Sequence, residues 1–104
     1  MQLPYRVVAI AGGHAQLRVA TSALFESYGT SVVSIPSSRE AVRREREIVH
    51  LLRGCDLAVV LVRQIAHSTS DQVRKAAEKL GVPVVFSHAL SAVAIERQLL
   101  EQQR

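Results

Sequence analysis

Four histidines stand in the 104 residues, and three of them follow apolar runs closely. His14 comes after Tyr5 to Ala11 and the pair Gly12-Gly13. His67 lies in the loop after Asp56 to Val62, and His88 follows Pro83 to Phe86. A neutral imidazole is a common metal ligand, and its proton affinity lies near physiological pH. Iron, zinc, haem or acid–base work is the chemistry open to such a set. The metal spacings of high specificity are missing from the sequence: there is no HExxH, CxxC or CxxCH. Covalent haem attachment is thereby excluded, whereas non-covalent haem through a histidine is not.

Gly12-Gly13 is the second candidate. Glycines at the end of a strand let backbone approach a ligand, and the N-terminus of a following helix attracts anions. AGGHAQLR is neither GxGxxG nor a P-loop, and no acidic residue closes the next apolar run to hold a ribose. Two readings stay open here: a cradle for phosphate, carboxylate or propionate, and a tight strand-to-helix turn. Nucleophilic catalysis has little to stand on. Cys55 precedes a strand, no Ser sits in a GxSxG elbow, and no carboxylate accompanies the histidines. No catalytic residue is assigned, and the reading leans away from an enzyme.

The elements that must position these residues alternate. Tyr5 to Ala11 is apolar on both faces and reads as a buried strand. A helix over about residues 15–28 carries Leu17, Ala20, Thr21, Leu24, Phe25 and Tyr28 as one stripe, with Gly29 at its end. Thr30 to Ile35 is a second strand, and its alternation suits an edge. Ser37 or Ser38 caps a second helix that ends at Gly54. Asp56 to Val62 is the most apolar strand and belongs at the centre. Thr69 or Ser70 caps a third helix, whose buried face is Val73, Ala76, Ala77 and Leu80. Pro83 to Phe86 is a fourth strand, and Ser91 caps a last helix with Ile95, Leu99 and Leu100 buried.

Four β-α units in one domain, residues 1–104, predict a parallel sheet with helices on both faces. Right-handed crossovers favour the order 2-1-3-4, half of a Rossmann-like or flavodoxin-like three-layer fold. Ligands in such sheets bind beyond the carboxyl ends of the strands, at the switch point between the first and third. His14, His67 and His88 share that edge, and neighbouring strands lie about 4.8 Å apart.

Composition narrows the rest. A pI near 10.0 invites nucleic acid. Yet the second helix interleaves Arg39, Arg43, Arg44, Arg46 and Arg53 with Glu40, Glu45 and Glu47. Mixed signs mark a solvated face, and only four aromatics are present, so nucleic-acid binding is disfavoured. His50 lies off this helix's apolar stripe and should be partly exposed. Cys55 has no partner in the chain, which fits a reducing cytoplasm. No secretory leader is visible, and no apolar run approaches the ~20 residues of a membrane helix.

The order of these features resembles a bacterial family, the domain of unknown function 2325. The points of likeness are Gly12-Gly13 after the first strand, Gly29, Cys55-Asp56-Leu57 opening the third strand, His67, Gly81-Val82-Pro83 and Ser91. They span about Tyr5 to Leu100. The resemblance implies a small cytoplasmic α/β domain and leaves the activity open. It carries a ligand-holding role to His67 better than any reaction. Relatives often have Cys and an acidic residue where this chain has Arg63-Gln64-Ile65-Ala66, and Arg or Asp at the position of His14.

The leading expectation is a homodimer that binds haem b non-covalently and binds or senses a diatomic gas such as oxygen. His67 or His14 would ligate the iron, with His88 beside them. Ile65, Ala66, Ala89 and Leu90 would wall the porphyrin. Arg18 or Arg63 would meet propionates or bound oxygen, and Gly12 and Gly13 would admit the ligand. Alternatives are an anion or nucleotide sensor at Gly12-Gly13, a metal enzyme using His14, His67 and His88, and an interaction domain without a small ligand. The open edge of TSVVSI is where the dimer would form.

Overall fold

The computed structural model describes residues 3–36 and 45–102. The elements run β1 (Val7–Ala11), α1 (Ala15–Glu26), β2 (Ser31–Ile35), α2 (Glu45–Leu52), β3 (Leu57–Leu61), α3 (His67–Leu80), β4 (Val84–Ser87) and α4 (Ala92–Glu101). All strand pairs are parallel and the order is β2-β1-β3-β4, as the alternation predicts. The expected Ser37 or Ser38 cap and Arg39, Glu40, Arg43 and Arg44 lie outside the described residues.

β1 and β3 are buried on both faces because each is paired on both sides and covered by helices above and below. Their alternating side chains feed two separate cores. Ala9, Ala11, Ala58 and Val60 face α2 and α3, where they meet Ile48, Leu52, Val73, Ala76 and Ala77. Small residues on this face let the helices approach the sheet closely. Val8, Ile10, Leu57, Val59 and Leu61 face α1 and α4, where they meet Leu17, Phe25, Ile95 and Leu99. Both outer strands are less covered, and β2 is an edge as its alternation implies.

Helix ends follow the capping signals only in part: α1 stops at Glu26 with Ser27 as its C-cap, two residues short of the end predicted before Gly29. The Ser91 hydroxyl accepts from the Ala94 N–H at 3.2 Å and starts α4, as expected. α3 instead begins three or four residues earlier than a Thr69 or Ser70 cap would place it. Ala66 is the N-cap with no side-chain bond, and Thr69 is buried within the first turns. The apolar packing of that turn overrides the local capping signal. In α1, Ala20 is exposed although the spacing placed it on the buried stripe, whereas Leu17, Thr21 and Phe25 are buried. Among the described residues no helix is long and apolar enough to cross a membrane.

Candidate functional site

β1, β3 and β4 are neighbours, so the loops after them do share the carboxyl edge of the sheet. His14, His67 and His88 sit there, and all three are exposed. His14 is the N-cap of α1, and its Nδ1 accepts from the Leu17 N–H at 3.4 Å. That contact uses one of the two ring nitrogens locally. His67 opens α3 and His88 follows β4. Among the described residues, no group of three or more His, Cys, Asp or Glu side chains could hold a metal ion.

The glycine pair is filled by protein. Gly12 has φ +87°, and a Cβ on it would come within 2.9 Å of both the Gln64 carbonyl oxygen and Ile65 Cβ. A Cβ on Gly13 would meet Leu61 Cδ1 at 2.8 Å. Glycine is needed because the β3–α3 loop crosses directly over this turn. The donors are spent as well. The Gly12 N–H donates to the Ile35 carbonyl at 2.9 Å and the Gly13 N–H to the Gln64 carbonyl at 2.8 Å. Arg18 donates to the Gly13 carbonyl and, at 3.2 Å, to that of Gly12. Its guanidinium therefore fastens the turn.

The apolar loop residues divide likewise. Ile65 packs against the α2–α3 core and Ala89 against the α1–α4 core, while Arg63 and Leu90 are exposed and Ala66 is half-buried. These findings overturn the expectation of a histidine-ligated haem that binds or senses oxygen. The histidines do not converge with other ligating groups, and the loops expected to wall a porphyrin are partly consumed by the core. The same geometry assembles no three-histidine metal group among the described residues, and it leaves the Gly12 and Gly13 N–H groups on backbone carbonyls rather than turned to an anion. An open depression of about 480 Å³ on α2, lined by Arg46, Glu47, His50 and Leu51, gathers none of these residues.

Asp56, at the other end of the sheet, has a defined task. Its carboxylate accepts from the Arg6 N–H at 2.7 Å and the Val7 N–H at 3.1 Å. These two bonds hold its pKa below the ordinary carboxylate value, against an opposing effect of desolvation, and the Arg6 charge adds a lesser lowering. Asp56 thus anchors the start of β1 to β3. Beside it, burial and the Asp56 charge raise the Cys55 thiol pKa, and its Sγ points to the Leu51 carbonyl at 3.5 Å.

What the sequence reading passed over is an apolar surface. Phe86, Leu90 and Val93 are 48%, 58% and 53% exposed. They lie on β4, on the following loop and on the first turn of α4. The signal was available: residues 80–95 contain no Asp, Glu, Lys or Arg, the longest such run in the chain.

The fold and this surface define a small doubly wound α/β domain that carries an open apolar edge. The chain belongs to the family DUF2325, described as an uncharacterized protein conserved in bacteria, which matches residues 7–102. No curated protein matches it. The crystal structure of the anti-anti-sigma factor PhyR from Bartonella quintana is similar, with a TM-score of 0.54 and 22% identity. The match covers 83% of this chain but spans only 34% of that one. At this identity the likeness shows the fold alone.

Proposed function

We propose that this domain is a regulatory module that binds another protein through its β4–α4 edge, where Phe86, Leu90 and Val93 are exposed. The exposed apolar set within a charge-free run of the chain carries this reading. Isolated exposed apolar residues are ordinary; three within the eight positions 86–93, in a stretch free of charged side chains, are what favours an interface here. The likeness to an anti-anti-sigma factor, a regulatory protein by that name, supports a protein as the partner. A two-fold dimer through β2, the expectation from the sequence, is compatible with this site because β2 lies at the opposite edge of the sheet.

The test is photo-crosslinking in bacterial cells that carry the gene natively. A photoreactive residue replaces Phe86, Leu90 or Val93 in turn, with Val19 as control. Val19 is 68% exposed but lies on α1 beside the polar Gln16 and Arg18. Protein adducts at the first three positions and not at Val19 are expected. Adducts absent from the edge, or equally strong at Val19, would refute it.

A further inference from the structure

The two edges of the sheet differ in how they meet another strand. The Ser31 N–H donates to the Arg6 carbonyl and the Gly12 N–H to that of Ile35, both at 2.9 Å. The backbone groups of Ser31, Val33 and Ile35 therefore face β1, and alternation aims the N–H and C=O groups of Val32 and Ser34 away from the sheet. Among the described residues no strand lies there to receive them. The usual devices against edge pairing are missing from Ser31 to Ile35: there is no proline, no charged side chain and no bulge in the register with β1. β4 is the contrary case. It has four residues and follows Pro83, and the Gln98 Nε2 donates to its outward Phe86 carbonyl at 3.1 Å.

The helices over the two edges differ as well. α2 lies over β2, whereas α3 lies over β3 and β1. That layer stops short of β4 and leaves a vacancy over Val84 and Phe86. Only at β2 do a strand edge and a helix flank run side by side. The Lys79–Glu45 pair, at 3.2 Å, marks the flank of α2 that faces α3. Helical spacing puts Glu47 and Leu51 on the opposite flank, outward over β2. The open depression lined by Arg46, Glu47, His50 and Leu51 is on this flank. Leu51 and Val33 both pack against the α2–α3 core, so that core reaches the surface along this edge.

The face is compatible with its own copy. β2 stands in residues 27–38, a run without Asp, Glu, Lys or Arg. The flank of α2 sets one cation, Arg46, beside one carboxylate, Glu47. A two-fold axis normal to the sheet beside Val33 sets β2 antiparallel to its copy. Val32 then stands opposite the second copy's Ser34, and their outward groups exchange four hydrogen bonds across the axis. Val33 meets its own counterpart as a pair without hydrogen bonds, about 4.5 Å apart between Cα atoms. On the same face the two α2 helices come side by side and close their depressions against each other.

We infer that the occupant of the β2 edge is a second copy of this chain, held by an antiparallel β2–β2 ladder centred on Val33 and by the outer flanks of the two α2 helices. The two sheets become one of eight strands. This gives the dimer named above its register and a second contact. It does not rest on docking at β4–α4, because both β4 strands lie at the far ends of the joined sheet.

Sedimentation of the full chain should give twice the monomer mass of 11.4 kDa. Ser34→Pro removes an outward donor and spares the bonds to β1, a change that edge strands tolerate. Two of the four ladder bonds go with it, so the dimer dissociation constant should rise roughly tenfold or more. Ser34→Lys, at an exposed position, is the second variant, and circular dichroism verifies that both fold. Glu47→Arg leaves two cations on each flank and should weaken the dimer, less so as salt is added. Cysteines read the register in a Cys55→Ala background. Val33→Cys should bridge two copies under mild oxidation, since the opposed Cα atoms are within disulfide reach. Ser34→Cys should not, because its own counterpart lies on a diagonal roughly 7–8 Å away. A monomer up to millimolar concentration, indifference to both Ser34 variants, or bridging at Ser34 with none at Val33 would overturn the inference. Indifference to Glu47→Arg would overturn the α2 contact. A dimer that dissociates on Phe86→Ser would put the second copy on β4 and overturn the β2 pairing.

Discussion

Several residues that suggested ligand chemistry, Gly12, Gly13, His14 and Arg18 among them, have a task in the fold, and those tasks differ in how far the sequence shows them. A glycine pair at a strand end looks the same whether a ligand or a neighbouring loop comes close. Only the position of Gln64 and Ile65 over Gly12 decides it, and that is a long-range packing fact. The distinction is measurable. Gly12→Ala adds a clash to the cost of a left-handed backbone and should destabilise by about 2–4 kcal/mol. Gly29→Ala, at φ +84° with nothing within 4 Å of its Cβ, should cost only the backbone term, about 1–2 kcal/mol. Urea unfolding compares them, and equal losses would deny the close approach. Asp56 is the complementary case, a polar residue at the other end of the sheet that holds β1 to β3. Its folded pKa is lowered, so the unfolded chain binds more protons in the window beneath the ordinary value of about 3.9. Its contribution is complete above that value and disappears as pH falls through the lowered one. Asp56→Asn should therefore flatten the acid limb of the stability curve. An unchanged limb would remove Asp56 from this role.

At the scale of elements, the sequence was more informative. Period and punctuation gave eight elements in the right order, because apolar strands and striped helices bury their own signatures locally. The order 2-1-3-4 followed from crossover handedness. Ser91 was legible as a cap, whereas the start of α3 was not, since Thr69 is buried inside the helix and a local capping rule does not register burial. Ser91→Ala should accordingly cost about 1 kcal/mol by thermal unfolding, the usual loss for a working N-cap. The turn after α1 is further joined to α4 at the surface. The Tyr28 hydroxyl hydrogen-bonds to Glu96, which is the main cause of its raised pKa, ahead of desolvation and the Glu96 charge. The folded state retains this proton more tightly, so the link is intact below about pH 10 and is lost as pH rises through the raised value. In a Tyr5→Phe background, phenolate absorbance should appear at lower pH once Glu96→Gln is introduced. A superimposable titration would show that the two helices are not coupled there.

The whole molecule is two cores sharing one sheet, and neither core is separable from the other. β1 and β3 contribute alternate residues to both, so loss of pairing between them exposes Ala9 and Val8 together. The vacancy over β4 was not legible in the sequence, because a strand's uncovered face depends on where the helices from distant segments come to rest. A cooperative molecule should nevertheless unfold as one unit despite that open edge. The two layers supply their own reporters. Tyr5 and Tyr28 pack on the α1–α4 side, while Cys55 is buried on the α2–α3 side. Its burial, together with the raised pKa, keeps the thiol slow toward alkylating reagents in the folded state. Along a urea series, loss of Cys55 protection and change of tyrosine fluorescence should share one midpoint. Earlier labelling of Cys55 would mean that α2 and α3 open as a separate unit, and the shared sheet would then not couple the cores.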